Sequence, residues 1–321
     1  MPSLRKIARS FEQIRQGTAK SINWHPGHMN TGMHAMIGKL NTVDCVIEVH
    51  DARIPLIGRN KEFRQHLGRI KPHILVLNKS DLADLSRWDH IKEKLASQGD
   101  HNVMLTDLSG TQFAHAKRGY QNLLDKAVTL IRESDRHNRD HLNHFKIMIV
   151  GIPNVGKSTL INRLRQYHLG LKGEATRTGN TAGVTRHVEH MIKICPRPLV
   201  YSLDTPGVLQ PSATSSHNVA MKLALCSTIN DRALKPYPIA KFLLKYLHDE
   251  QNFFYVDYLN LEVPPRDIDE FCREVAARNY PKYNHRTGHD HVTDMIDIDN
   301  ICWKFVNSFR KGYLGKVMFC D

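Results

Sequence analysis

Gly151-Ile152-Pro153-Asn154-Val155-Gly156-Lys157-Ser158 fits the Gly-xxxx-Gly-Lys-Ser pattern of a phosphate-cradling loop. In such a loop, backbone N–H groups at the start of a helix face the phosphate oxygens. Asn154, Val155, Gly156, Lys157, Ser158 and Thr159 are therefore candidate phosphate contacts. Lys157 would reach the β- and γ-phosphates, and the Ser158 hydroxyl would ligate Mg²⁺. A second signature, Asp204-Thr205-Pro206-Gly207, follows an apolar run. Its Asp204 can hold Mg²⁺ through water, and its Gly207 N–H can meet the γ-phosphate. A third, Asn78-Lys79-Ser80-Asp81, also follows an apolar run. A carboxylate at Asp81 can accept from both N1–H and the 2-amino group of guanine, a donor pair that adenine lacks. Ser109, in Leu108-Ser109-Gly110, can back the guanine O6 with a loop N–H. Together the three signatures point to GTP or GDP with Mg²⁺; a kinase or ATPase with the same phosphate loop is the competing reading.

The order of the signatures is unusual. The guanine motif (78–81) precedes the phosphate loop (151–158), which precedes Asp204–Gly207. In ordinary GTPases the phosphate loop comes first, so this order is that of a circularly permuted GTPase. Permutation keeps the packing intact because domain termini usually lie close together. It also ties the chain beyond residue 210 directly to the γ-phosphate sensor, so nucleotide state could reposition the C-terminal region. Val208 stands where conventional GTPases place a water-orienting Gln, and valine cannot hydrogen-bond water.

Parallel strands are needed to deliver these signatures to one sheet edge. Val43–Val49, Ile74–Leu77, Phe145–Val150 and Leu199–Leu203 are short apolar runs of that kind. Helical stretches at 88–98, 120–132 and 157–166 alternate with them. The expected fold class is α/β: a doubly wound P-loop GTPase sheet followed by an all-helical C-terminal domain. The expected domains are a basic arm at 1–20, the permuted GTPase at 21–210 and a helical domain at 211–321. Helices are predicted in that last domain over 217–229, 238–249, 267–279 and 294–310.

Charge is unevenly placed. The 321 residues carry net +13, yet residues 208–321 hold 14 basic and 14 acidic side chains. The excess lies in the arm and the sheet domain and suits a polyanionic partner or an anionic membrane surface. No apolar run approaches the ~20 residues needed to span a bilayer. The six cysteines are scattered, as suits buried free thiols in a reducing compartment. His137, His141 and His144 share a helical spacing, and His285, His289 and His291 cluster in a loop; both groups are read as solvated surface. Asp51 and Arg53, at a strand end, could structure the guanine side of the site or contact a partner, with a helix cap and a surface charge as the other reading; neither is assigned chemistry. Residues 1–20 pair Arg5, Lys6, Arg9, Arg15 and Lys20 with one acid, Glu12, on an amphipathic helical spacing. That is the composition of a mitochondrial transit peptide, with an ordinary basic N-terminal helix, such as an RNA-binding arm, as the other reading.

The sequence resembles the YlqF/RbgA-type permuted GTPases, and most of all their mitochondrial members. The resemblance rests on Trp24-His25-Pro26-Gly27-His28-Met29, Asp51-Ala52-Arg53-Ile54-Pro55, Arg59-Asn60 and Gly183-Val184-Thr185, together with the three nucleotide motifs in permuted order. It covers about residues 22–280. His25, Ala182 and Lys61 depart from the family's usual Phe, Pro and Pro, and the last ~40 residues carry no family motif.

The resemblance implies a GTPase that binds the large ribosomal subunit and its rRNA and promotes assembly, with hydrolysis gating release. It makes His28 the candidate for orienting the attacking water and Asn154 the candidate K⁺ ligand. Thr185 is the candidate switch ligand for Mg²⁺, with Thr181 competing. The helical domain is expected to contribute to rRNA binding. The expected setting is mitochondrial, as a monomer with peripheral attachment to the matrix side of the inner membrane. A cytosolic or bacterial-type ribosome-assembly GTPase and a signalling GTPase with protein effectors remain the alternatives.

Overall fold

The computed structural model describes residues 37–59, 71–108, 113–136, 139–171, 173, 191–203, 205, 216–231, 234–279 and 297–320. The strands are β1 (Cys45–Asp51), β2 (His73–Asn78), β3 (Val103–Thr106), β4 (Phe145–Val150), β5 (Met191–Pro196) and β6 (Leu199–Leu203). They form one sheet in the order β3-β2-β1-β4-β6-β5. All neighbours are parallel except β5 against β6. The four predicted strands are all present, and β3 leads into the Leu108 loop. The edge strand β5 is an addition to them: it alternates exposed and buried residues and lies outside any continuous apolar run.

β1 is buried along its whole length, as expected of a central parallel strand covered on both faces. It carries Glu48, His50 and Asp51, so each of these needs a partner inside the fold. Glu48 finds Arg59, whose guanidinium donates to its two oxygens at 2.8 and 2.7 Å. The same guanidinium donates to Asp100 at 2.6 and 3.0 Å. His50 places Nε2 2.8 Å from the carbonyls of both Ile54 and Ile57, pinning the turn after β1.

The helices flanking the sheet are α1 (Trp88–Ser97), α2 (Phe113–Arg132), α3 (Lys157–Leu169) and α4 (His217–Leu225). Val46, Met148, Val150 and Leu203 form one part of the core with Leu40 and Val43. Leu75 and Leu77 form another with Ala52, Ala83, Met318, and Ile91 and Leu95 of α1. Asp44 ties the segment between α2 and β4 to this sheet, accepting from Arg139 Nε at 3.0 Å, Arg136 Nε at 3.2 Å and the Lys146 N–H at 2.7 Å.

The chain divides into two compact units. The sheet unit runs to Asn230 and takes back the chain from Lys316; the helical unit holds Asp231–Gly315. The expected division at residue 210 therefore differs from the observed one. α4 belongs to the sheet unit because its buried face (Ala220–Leu225) packs there, a choice that helical periodicity alone does not reveal.

The helical unit comprises α5 (Pro236–Asp249), α6 (Phe254–Tyr258), α7 (Ile268–Asn279) and α8 (Ile298–Arg310). Proline opens α5. Asp267 accepts from Glu270 N at 2.8 Å, and Asp297 from Asn300 N at 2.9 Å, satisfying donors at the starts of α7 and α8. Its centre is an aromatic cluster of Tyr255, Phe271 and Phe305, with ring centroids 4.4–6.4 Å apart. All six cysteines are free, and five are buried.

Candidate nucleotide site

β4 runs into the phosphate loop, and the backbone there tolerates only glycine at two points. A Cβ on Gly151 (φ 148°) would strike the carbonyl oxygen of Val49 on β1. A Cβ on Gly156 (φ 107°) would strike the Asn78 amide. The second contact explains the glycine spacing: the phosphate loop and the guanine motif pack directly against each other. Gly156 also caps α3, whose first turn carries no acid, so its N–H groups and positive end are presented to an anion. Lys157 is buried and its Nζ donates to the Ile152 carbonyl at 2.9 Å, lying across its own loop. Ser158 and Thr159 come next on the first turn of α3, both half-buried.

Asn78 sits at the end of β2 and joins three strand ends. Its Nδ2 donates to Val155 O at 2.7 Å, and its Oδ1 accepts from Leu108 N at 3.1 Å. Its side chain therefore fixes the phosphate loop and the Leu108 loop relative to β2. Lys79 takes a left-handed φ of 62° and sends Nζ to within 3.0 Å of Asp51 Oδ2. The turn Ser80–Leu82 then presents Asp81, which is exposed. Partial burial, and next the neighbouring Asp107 carboxylate, push the Asp81 pKa up.

Asp51 and Arg53 are not a helix cap and a surface charge. Both are buried. Arg53 grips Asp51 with Nε at 3.0 Å and Nη2 at 2.8 Å, and its backbone N–H adds a third bond at 3.0 Å. Burial alone would raise the Asp51 pKa; the Arg53 and Lys79 charges outweigh it and hold the carboxyl well below the usual range. Asp51 pairs with Asn78 in the β1–β2 register, and Ala52 N donates to Asn78 O at 2.8 Å. These two residues thus anchor Lys79 of the guanine motif. The available signal is positional: Asp51-Ala52-Arg53 ends β1 where Asn78-Lys79-Ser80-Asp81 ends β2.

On the γ-phosphate side, β6 pairs in parallel with β4. Buried Thr205 beyond it hydrogen-bonds through its hydroxyl to the Ile149 carbonyl. Asn154 (φ 60°) donates Nδ2 to Ser227 O, just after α4, at 2.7 Å. Six sequence-predicted site residues lie outside the described residues: His28, Ser109, Thr181, Thr185, Asp204 and Gly207. The structure thus brings together Asn78, Lys79, Asp81, Asn154, Val155, Gly156, Lys157, Ser158 and Thr159 at the carboxyl edge of β2 and β4.

Among the described residues, one group has metal-like spacing: Glu48, His73 and Asp100, with ligand atoms within 4.8 Å of one another. Arg59 forks onto both carboxylates and supplies the positive charge, so the group is an ion network away from the nucleotide loops.

Comparison with known proteins agrees with this geometry. A family model described as "50S ribosome-binding GTPase" matches residues 146–255. Mitochondrial ribosome-associated GTPase 1 of Mus musculus is 42% identical over 298 residues, 92% of this chain and 89% of that protein. Ribosome biogenesis GTPase A of Priestia megaterium is 33% identical over 309 residues, 94% of this chain and 97% of that protein. The crystal structure of GNP-bound YlqF from T. maritima superposes with a TM-score of 0.53 at 22% identity, covering 90% of this chain and 97% of that one; this likeness speaks to the fold. The chain belongs to the family formed by the mitochondrial ribosome-associated GTPases and ribosome biogenesis GTPase A.

Proposed function

We propose that the chain is a circularly permuted GTPase that binds the mitochondrial large ribosomal subunit through its rRNA and promotes maturation of that particle, with hydrolysis gating release. The observation that carries the nucleotide part is the Asn78 bridge. One side chain holds a guanine-selecting loop against a phosphate loop, and the two lie in reversed chain order. The ribosomal part rests on relatives named for ribosome association and ribosome biogenesis, and on a net charge of +13. The mitochondrial names among the relatives support a mitochondrial setting. No helix among the described residues is long and apolar enough to cross a membrane. Attachment to the matrix face of the inner membrane, a monomeric state and rRNA contact by the helical unit complete the reading.

The residues present suit a nucleotide with a hard divalent cation. Ser158 on the first turn of α3 offers a hydroxyl, and Asp204 precedes Thr205, whose own hydroxyl is committed to Ile149 O. Such oxygen donors favour Mg²⁺. Bound there, Mg²⁺ would neutralise charge building on the phosphates. Thr185 is the proposed switch ligand, ahead of Thr181. Lys157 would turn from the Ile152 carbonyl to the phosphates. As the amide's acceptor atom, Asn154 Oδ1 is the one by which K⁺ would be held. With Val208 unable to orient water, His28 takes that role.

The test is GTP turnover measured with and without large ribosomal subunits, in K⁺ and in Na⁺. Stimulation by the particle is expected, and K⁺ dependence with it. Turnover indifferent to particle and cation, together with no co-sedimentation at low salt, would refute the ribosomal reading and leave a signalling GTPase.

A further inference from the structure

Lys316–Cys320 carries no recognisable motif, yet it is seated against the guanine-selecting loop. Its first main-chain bond runs from Val317 N to Leu82 O at 3.2 Å, immediately beside Asp81. Two residues on, Phe319 N donates to Arg53 O at 2.7 Å. Lys94 of α1 closes the far end by donating from Nζ to Cys320 O at 3.3 Å. Val317, Met318 and Phe319 are 4%, 3% and 1% exposed, burial typical of a core and unusual for a polar loop's neighbour. Met318 packs among Ala52, Ala83, Leu75 and Leu77, the residues that flank the Asp51 and Lys79 loops. Lys222 of α4 lies over the Phe319 ring, 5.5 Å from its centroid.

These contacts converge on one set of side chains. Arg53 is held through its guanidinium by Asp51 and through its own carbonyl by Phe319. Asp51 in turn holds Lys79. Leu82, held by Val317, is the residue after the carboxylate that reads the base. A single 3-10 turn such as Ser80–Leu82 has few bonds of its own, so its position depends on what it leans against.

We infer that Val317–Cys320 is a positioning segment for base recognition: it fixes the Asp81 and Lys79 loops in the geometry that selects guanine. The segment acts through Leu82 and Arg53 and touches no nucleotide. Selectivity for guanine then depends on residues more than 230 positions away in sequence from the motif that reads the base. This rests on the proposed guanine-nucleotide function and extends it to residues that no motif marks.

The experiment compares GDP with IDP, which lacks the 2-amino group that Asp81 would accept from. Affinities of the full chain, of a chain ending at Gly315, and of Met318→Ala and Met318→Leu are measured by displacement of a fluorescent GDP. Ending the chain at Gly315 is expected to weaken GDP at least tenfold and IDP far less, so that discrimination collapses. Turnover at saturating GTP is expected to stay within twofold. Met318→Ala should lose part of the discrimination, and Met318→Leu should restore it; this pair decides the matter if the shortened chain does not fold. Discrimination unchanged in both, or GDP and IDP affinity falling by the same factor, would overturn the inference. A full chain that shows no preference for GDP would refute the guanine reading itself, a distinguishable result.

Discussion

Asn78→Ala removes the side chain that links the two nucleotide loops. Asn78 is 3% exposed, and the groups it satisfies, on Val155 and Leu108, belong to residues 0% and 1% exposed. The substitution therefore strands a buried carbonyl and a buried N–H. Each such group costs about 1–3 kcal/mol, so the expected loss of stability is about 2–6 kcal/mol, a large fraction of a domain's margin. Asn78→Asp is the sharper perturbation because it keeps the shape. Its carboxylate still accepts from Leu108 N, but at neutral pH it faces the Val155 carbonyl with no proton to donate. Only the protonated acid can make both bonds, so the folded-state pKa of the new Asp lies above its unfolded value. Its stabilisation is then fully present below the ordinary carboxylate range and is lost as pH rises through the raised value. Denaturant unfolding of the nucleotide-free protein at several pH values, with GDP affinity measured alongside, checks both variants. An Asn78→Ala protein within about 0.5 kcal/mol of wild type, the scatter expected of an ordinary surface change, would refute the bridge. So would an Asn78→Asp protein whose stability rises with pH relative to wild type.

Four further outcomes are expected. Gly156→Ala drives a Cβ into the Asn78 amide and should abolish GDP binding in a titration while retaining most far-ultraviolet ellipticity. Asp51→Asn leaves Arg53 and Lys79 without their buried anion and should cost about 3–5 kcal/mol in urea unfolding. Because the Asp51 pKa is depressed, its contribution is present above the ordinary carboxylate range and lost on acidification below it, so the variant should lack that part of the acid transition. Asp81 must be ionised to accept from guanine, and its pKa is raised; GDP affinity should fall as pH drops through that raised value. Asp107→Asn should move the fall to lower pH in the same binding assay. Arg59→Ala uncovers Glu48, His73 and Asp100 and should be strongly destabilised, and Zn²⁺ should raise its melting temperature while leaving wild type unaffected.

The strands that end in chemistry are legible because burial on both faces writes them as continuous apolar runs, and their signatures stand at fixed offsets. β5 is not, since an edge strand buried on one side alternates and mixes Lys193 among apolar residues. α6 is five residues long, too short for a helical period to register. Glu48 in the middle of β1 makes no sense as sequence, and becomes intelligible only once Arg59 is seen to bind it. Asp51 and Arg53 leave two readings open because their types equally permit a surface pair, and only their burial shows that they hold Lys79 on the guanine side. The role of Lys316–Cys320 is hidden for a different reason. Its key bonds are donated by main-chain N–H groups, which every residue but proline supplies, so no residue type announces them.

The return of the chain at Lys316 sets an order on folding during synthesis. The helical unit Asp231–Gly315 is an interruption within the sheet unit, so the segment that completes the guanine loop is translated after all of it. At roughly 5–20 residues per second, several seconds pass between completion of the sheet's strands and the arrival of Met318 in its core. During that interval the apolar floor formed by Ala52, Leu75, Leu77 and Ala83 lacks its cover. A nascent chain at that stage has its phosphate loop but an unbraced base reader, and would bind guanine nucleotides less selectively than the finished protein.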